Sequence, residues 1–231
     1  TGAQAIHPGY GFLSENAAFQ EAMNQEMAST FFYGDEKVSP AKFTGLSAYY
    51  YSKNEAPVYA ERIIDCGGTG DNLTSVWMAC MGPNSLYGIF PANTKAGFQY
   101  RDKGLVKCRD EEGGELWKYE SQYKWRNGLA LKDPRYVVRL CNIDTKKLTA
   151  SDADKFMENL IAGFNRIENP DMGKMAIFCN RDMETYFDIC QVKATNVRLG
   201  LGEFGGNKVT TFRGVPILRN DAILSTESKI D

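Results

Sequence analysis

The chain has little of what catalysis and metal binding require. His7 is the single histidine among 231 residues, so a histidine metal site or a Ser-His-Asp triad would depend on it alone. The six cysteines are scattered and none forms a C-x-x-C pair, which disfavours a metal cluster or a redox motif. We expect free, mostly buried thiols and no catalytic residue, metal or cofactor. A secreted disulfide scaffold is the alternative.

The sequence also lacks a strong net charge and any long apolar run. Lys and Arg total 27 against 29 Asp and Glu, a formal net charge of -2. The surface as a whole therefore has no strong attraction for phosphate backbones, which disfavours a dedicated nucleic-acid binder. No segment approaches the roughly 20 apolar residues that span a bilayer. With 43% hydrophobic residues, the chain is predicted to be a soluble protein of one or two domains, without membrane contact.

Two glycine-rich segments match nucleotide-binding motifs only in part. Gly200, Gly202 and Gly205 fit G-x-G-x-x-G, but residues 209–212 are typical of a strand, whereas a dinucleotide site needs a helix there. Residues 67–70 lack the lysine of a phosphate-binding loop. Both segments are therefore predicted to be turns.

An aromatic strand is the clearest feature that is present. Aromatic side chains stand at alternate positions, with charged and polar residues between them: Trp117, Tyr119, Tyr123 and Trp125. This period predicts a strand with one aromatic face and one solvent face. Such a face can belong to the core, contact another subunit or stack on bases or sugars. Because the interleaved charges are mixed in sign, we favour a core or subunit-contact face.

The first helix is predicted to begin at Ser14, whose hydroxyl would cap it. Phe19, Met23 and Met27 follow at helical spacing and form its predicted core face. Gly34 is predicted to end this helix.

Two further helices are predicted in the second half of the chain. Residues 152–168 follow a capping box at Ser151 and Asp154, and Asn180 would cap residues 181–190. Their predicted core residues are Phe156, Leu160, Phe164 and Ile167 in one helix, and Met183, Tyr186, Phe187 and Cys190 in the other.

The other regular segments are predicted strands joined by tight turns. The predicted hairpin turns are at residues 82–84, 112–114 and 127–128, and further strands lie at 175–179 and on both sides of residues 200–206. The pair Asn127-Gly128 is the strongest of these signals, because the favoured two-residue turn needs positive φ at both positions.

Residues 1–16, TGAQAIHPGYGFLSEN, resemble part of the biotin carboxylase domain of biotin-dependent carboxylases. That resemblance alone implies an ATP-grasp enzyme that carboxylates biotin. It ends near Phe19, and the glycine-rich ATP loop, the ATP-binding lysines, the metal-binding glutamates and the AMKM biotin site have no counterpart in the remaining sequence. We treat residues 1–13 as an extension of uncertain origin and a carboxylase fragment as an alternative hypothesis.

From about Ser14 to the end, the sequence resembles the major capsid proteins of tailed bacteriophages, which have the Hong Kong 97-like fold. Six segments carry this resemblance, in the family's order: QEMASTFFYGD (25–35), PAKFTGL (40–46), TSVWMACMGPNSLYGIFP (74–91), YKWRNGLALKDPRYVVRLCNID (123–144), MAIFCNRDMETYFD (175–188) and TTFRGVPILRNDAIL (210–224). None is a catalytic motif, so the resemblance depends on their number and order.

The capsid resemblance implies an α+β fold with a spine helix at 14–33, extended antiparallel strands and a smaller axial domain. The implied division is a peripheral domain at 14–145, an axial domain at 146–206 and return strands at 207–231. The family's N-terminal arm and extended loop have no counterpart in residues 1–13.

The same resemblance implies a structural protein rather than an enzyme. It would assemble with copies of itself into hexamers and pentamers of an icosahedral virion shell around double-stranded DNA, in the bacterial cytoplasm. Decoration, scaffolding and portal proteins are further candidate partners. A carbohydrate- or nucleic-acid-binding β module using the aromatic strand is a third hypothesis.

Overall fold

The computed structural model describes residues 8–53, 56–109, 113–148, 153–193 and 199–231, with side chains of the first helix described from Ala18 onward. His7 therefore lies outside the described residues. The chain divides into two compact units: residues up to Tyr87 together with Leu131–Asp231, and Gly88–Ala130. Helices and strands both contribute substantially, so the fold is α+β, as the sequence predicts.

The elements follow one another along the chain without internal repetition. The helices are α1 (Pro8–Tyr33), α2 (Pro57–Ala60), α3 (Ala153–Asn165) and α4 (Arg181–Lys193). The strands are β1 (Ile63–Asp65), β2 (Leu73–Met81), β3 (Leu86–Ile89), β4 (Phe98–Arg109), β5 (Glu115–Trp125), β6 (Gly128–Leu131), β7 (Val137–Asp144), β8 (Lys174–Cys179), β9 (Leu199–Phe204), β10 (Asn207–Phe212) and β11 (Val215–Arg219).

The first unit is built on a mixed sheet with the strand order β1-β7-β2-β8-β11-β10-β9. The central strand β2 is antiparallel to both β7 and β8, while β1 is parallel to β7 and β11 is parallel to β8. Nearly every residue of β2 is buried. A central strand covered on both faces is expected to be a continuous apolar run, and residues 73–81 have that character.

The core lies on both faces of this sheet. Alternate residues of β2 point to opposite sides, so Val76 and Met78 face the core that α3 and α4 share with the sheet. Trp77 lies on the other face, where its ring is 6.0 Å from that of Phe32 at the end of α1 and 6.0 Å from that of Tyr50. The sheet is therefore covered by helices on one side and by the end of α1 on the other.

The predictions for α3 and α4 are confirmed, except that α3 ends at Asn165 rather than at residue 168, so that Ile167 lies beyond the helix. The side-chain oxygen of Asn180 accepts a 3.0 Å hydrogen bond from the Met183 amide, the cap expected at the start of α4. The predicted core residues of both helices are buried, except Phe164, which is half-buried. Ser151 lies outside the described residues. Among the helices of the described ranges, none has the length and apolar character required to cross a membrane.

The predicted start of α1 at Ser14 is wrong, because the helix begins at Pro8. Proline suits the first helical position, where its missing N–H would have no partner within the helix and its fixed φ is already helical. Ser14 is thus an interior position of the helical backbone rather than its cap.

Two predicted hairpins are also wrong. Strands β2 and β3 meet only at the parallel pair Met81 and Leu86, because β2 is already bordered by β7 and β8. Asn127 and Gly128 do not close a tight turn, since neither has the positive φ that such a turn needs. Gly128 instead allows the side chain of Ile89 to approach the backbone closely, because a Cβ at position 128 would lie 2.8 Å from Cγ1 of Ile89.

The turn predicted at residues 200–206 is shorter in the structure, because Gly200 and Gly202 belong to β9 and only Gly205 and Gly206 connect the strands. Strands β9 and β10 are antiparallel across Gly205 and Gly206, whose φ angles are +59° and +84°. Gly200 and Gly202 lie within β9 and no helix follows them, so this segment has neither the strand-to-helix connection nor the backbone shape of a dinucleotide site.

Candidate subunit-contact surface

The aromatic strand lies in a two-stranded ribbon formed by β4 and β5 within the second unit. The two strands pair antiparallel along their whole length, from Phe98 opposite Trp125 to Arg109 opposite Glu115. This confirms the predicted hairpin, whose residues 110–112 lie outside the described residues. Because residues directly opposite each other in an antiparallel pair share a face, the register assigns each side chain to one side of the ribbon.

A β-bulge in β4 sets which residues share the aromatic face. The register shifts between Asp102 and Gly104, leaving Lys103 as the extra residue, and Gly104 has a φ of +68°. A bulge inserts one residue and so changes the alternation of the strand beyond it. Tyr100 lies opposite Tyr123 before the bulge, and Leu105 lies opposite Tyr119 after it.

The apolar members of the aromatic face, as defined by this register, are the four predicted residues of β5 and three residues of β4: Trp117, Tyr119, Tyr123, Trp125, Phe98, Tyr100 and Leu105. The register places Ser121, Asp102 and Lys107 on the same face. Its rings contact one another across the strands. The Tyr100 and Tyr123 ring centroids are 5.3 Å apart, and the Phe98 ring meets that of Trp125 edge to face at 6.0 Å. Such cross-strand pairs stabilise an antiparallel ribbon.

Most of this face is open to solvent in the single chain. Trp117 is 66% exposed, Tyr119 69% and Leu105 55%, whereas Tyr123 and Trp125 are half-buried. None of the four predicted aromatics belongs to the buried core of the described chain. The exposure of Trp117 and Tyr119 argues against a core face for these two residues. A subunit contact stays a prediction, with stacking on bases or sugars as its alternative.

Charged pairs lie on both faces of the ribbon. Lys107, which is opposite Trp117, is paired on the aromatic face with Glu115 at 2.5 Å, and Lys103 at the bulge is paired with Glu120 of the other face. Exposed pairs of this kind contribute little to stability, typically below about 1 kcal/mol, but they restrict which surface can dock in register.

The predicted core face of α1 is only partly placed in the core. Phe19 is 59% exposed, and Met23 and Met27 are half-buried. Burial is concentrated in the last turn, where Thr30 and Phe32 are buried. Phe19 is therefore not a core residue of this chain, because the part of α1 that meets the sheet is its C-terminal end.

A buried polar cluster around Glu227 was not predicted. The carboxylate of Glu227 accepts hydrogen bonds from Tyr33 and Ser75 and forms a 2.9 Å ion pair with Arg139. The Arg139 and Glu227 side chains are only 5% and 6% exposed. Arg139 also lies over the ring of Trp77, 4.7 Å from its centroid. The one signal in the sequence is an arginine inside the apolar run 137–141.

Burial controls the protonation of several groups in this unit. Burial, followed by the negative charge of Glu227, raises the pKa of the Tyr33 hydroxyl well above its usual range. Burial also raises the pKa of Cys66 and Cys179 to about 12 and that of Cys141 to about 11. All six cysteines are free, and thiols with raised pKa are poor nucleophiles and poor metal ligands.

Three residues of the turn predicted at 67–70, Gly67, Gly68 and Thr69, line a cavity of about 390 Å³ beside α3. Lys147 in its wall is paired with Asp144 at 3.3 Å, so its charge is balanced locally. In the described ranges no group of three His, Cys, Asp or Glu side chains could hold a metal ion. The lining also contains a second lysine, Lys155, besides apolar and amide side chains.

A family comparison assigns the chain. The sequence profile described as "Major capsid protein GP7" matches residues 10–231. The chain belongs to this family of major capsid proteins. Family membership implies a structural protein of the virion that assembles into a capsid shell, which agrees with the capsid resemblance of the sequence.

Two further comparisons concern the fold and a short segment. The cryo-EM structure of bacteriophage epsilon15 contains a chain similar to this one, with a TM-score of 0.67 and 24% identity over 98% of this chain and 69% of that chain. The similarity shows a common fold. The propionyl-CoA carboxylase alpha chain of Ruegeria pomeroyi is 73% identical over 26 residues, which are 11% of this chain and 4% of that protein. So short a match does not support a carboxylase.

Proposed function

We propose that this capsid protein assembles into the hexamers and pentamers of an icosahedral shell that encloses double-stranded DNA, and that it catalyses no reaction. Assembly would take place in the cytoplasm of a bacterial host. The observation that carries the proposal is the exposed aromatic face of the β4–β5 ribbon. A second subunit would cover this face in the shell.

Physical arguments support a subunit contact at this surface. A two-stranded ribbon is marginally stable alone in water, and large contiguous apolar patches on soluble chains mark interaction sites. Trp and Tyr are also the residues that most often dominate the binding energy of protein interfaces. Trp117 and Tyr119 are thus the side chains whose burial between subunits would contribute most.

In a symmetric shell, the binding free energies of many modest subunit contacts would add up to a stable assembly. Each copy of a closed assembly repeats the same interfaces, so no single one needs to be strong. The formal net charge of -2 suits a wall that encloses DNA without binding it tightly, because tight binding needs many basic contacts to phosphates. Decoration, scaffolding and portal proteins would be additional partners of such a shell.

Electron microscopy and sedimentation velocity of the purified chain test this proposal. Shells or capsomers are expected for the wild type, and a Trp117→Ala/Tyr119→Ala variant should remain a folded monomer with an unchanged circular dichroism spectrum. Val38→Ala is the matched control, because Val38 is also highly exposed but lies outside the ribbon.

Equal assembly of all three proteins would show that the aromatic face is not a subunit contact. A wild type that stays monomeric and binds oligosaccharide or oligonucleotide through this face would instead favour the β-module hypothesis. Saturable ATP binding, with hydrolysis that depends on bicarbonate and biotin, would favour the carboxylase hypothesis.

A further inference from the structure

Helix α1 is attached to the sheet at one end. At 1.5 Å per residue, its 26 residues extend over about 39 Å. Among its described side chains, the first buried one is that of Thr30. The last turn packs through Phe32, whose ring lies 6.0 Å from those of both Trp77 and Phe178. The attachment of a long helix thus depends on a few residues.

The segment that follows β11, residues 220–231, crosses the sheet and reaches the end of this helix. We name it the strap. It is bound to three strands: the Asn220 amide donates to Cys179 O at 2.7 Å, the Glu227 amide donates to Leu73 O at 2.8 Å, and the Ile230 amide donates to the side chain of Asn142 at 2.9 Å. These bonds hold the strap on the sheet independently of α1.

Tyr33, the last residue of α1, connects the helix to the strap through one hydroxyl group. This hydroxyl accepts a 3.1 Å hydrogen bond from the Leu224 amide and donates one to the Glu227 carboxylate. Glu227 is itself fixed by Arg139 and Ser75, which come from β7 and β2. Four separate parts of the chain therefore meet at one buried carboxylate.

We propose that the Tyr33–Glu227 contact is a latch through which the strap holds the end of α1 against the sheet. When the latch opens, the last turn of α1 unwinds and the helix loses its fixed direction, while the sheet and the strap stay folded. The latch is a conformational device of the single subunit and goes beyond the proposed assembly, because it sets the direction of the helix before any neighbour is bound.

Hydrogen exchange of the full chain, measured by mass spectrometry, tests the latch. Tyr33→Phe removes only the hydroxyl and leaves the ring and the Arg139–Glu227 pair in place. We expect amides of residues 28–34 to exchange at least tenfold faster, with β2, β7 and β8 unchanged. Unchanged exchange at the helix end, or an equal increase throughout the sheet, would overturn the proposal.

Tyr50→Phe is the matched control on the same face of the sheet. Its hydroxyl donates a 2.8 Å hydrogen bond to Pro134 O and does not touch the strap, so its loss should affect residues near 134 and not the end of α1. Faster exchange at residues 28–34 in this variant as well would mean a general loss of stability and would contradict a latch.

A double substitution separates the latch from other effects of Glu227. Glu227→Ala removes the carboxylate that accepts the Tyr33 hydrogen bond and should also loosen the end of α1. If both residues act through that contact, Tyr33→Phe should add little at residues 28–34 in the Glu227→Ala background. Independent effects of the two substitutions on the exchange rates would contradict the latch. Because hydrogen exchange is measured on single subunits, this test does not depend on whether shells form.

Discussion

Tyr100 and Leu105 face the same side of the ribbon although they lie five positions apart on one strand. A regular strand would place them on opposite faces. The bulge at Lys103 and Gly104 corrects the alternation, so that the half of β4 beyond it contributes Leu105 to the aromatic face. One inserted residue thus determines which side chains of β4 beyond the bulge lie on the aromatic face.

Deletion of Lys103 should leave the aromatic face intact. Without the extra residue, Tyr100 and Leu105 are four positions apart, so the regular alternation of the strand still places them on one face. Lys103→Ala is the control, since it removes the ion pair with Glu120 but keeps the bulge. We expect assembly equal to that of the wild type for both variants, measured by sedimentation velocity. Loss of assembly for the deletion alone would show that the bulge itself is needed, and not only the shared face.

Stability measurements should distinguish surface from core aromatics. Trp77 is fully buried, and its replacement by alanine should cost about 3–5 kcal/mol of unfolding free energy. Trp117→Ala should change that free energy by no more than about 0.5 kcal/mol, because Trp117 is 66% exposed. Urea unfolding of monomeric protein measures both. A large loss of unfolding free energy for Trp117→Ala would show that Trp117 is a core residue.

Gly34, which follows α1, should not tolerate a side chain. A Cβ at this position would lie 2.1 Å from the backbone oxygen of Phe43, and relief requires the backbone to move. We expect Gly34→Ala to cost about 3 kcal/mol. Gly88→Ala is the control, because its Cβ would meet no atom closer than 3.9 Å. A Gly34→Ala protein as stable as wild type would contradict the close approach.

The buried thiols should make the protein less stable at alkaline pH. Their pKa values of about 11 to 12 in the folded chain exceed about 8.5 in an unfolded chain. Above pH 8.5 the unfolded state therefore binds fewer protons, and the free energy of unfolding falls as pH rises. Urea unfolding at pH 8 and pH 9.5 should show this decline. Cys179→Ala should show less of it, and an identical decline would exclude a contribution from this thiol.

Ser14→Ala should be neutral or slightly stabilising. Ser14 is an interior position of α1, where alanine is the better helix former by about 0.5 kcal/mol. Asn180→Ala, at a helix cap seen in the structure, should instead cost about 1 kcal/mol or more. Thermal unfolding of both variants measures the contrast. If Ser14→Ala lowered the stability as much as Asn180→Ala does, Ser14 would be a helix cap after all.

Local patterns predicted those features that depend on neighbouring residues. The core faces of α3 and α4 follow from helical spacing, and the Asn180 cap follows from one residue and its position. The aromatic strand was predicted by its alternation, but Phe98, Tyr100 and Leu105 were not, because a bulge interrupts the pattern of β4.

Features that depend on distant residues were missed. The partners of Glu227 are brought together from α1, β2 and β7 by the order of strands in the sheet, which no local pattern encodes. The Asn127-Gly128 signal failed for the same reason, since β7 pairs with β1 and β2 rather than continuing the ribbon. Phe19 shows that helical spacing identifies an apolar stripe without saying what covers it.

The central position of β2 has a consequence for how the chain folds during synthesis. Its two neighbours, β7 and β8, are both made much later, so long loops must close before its hydrogen bonds form, which slows folding. Until then, residues 73–81, LTSVWMACM, stay an uncharged segment without Pro or Gly, the kind that aggregates as extended strands. Newly made subunits are therefore most vulnerable to aggregation at β2, before β8 has left the ribosome.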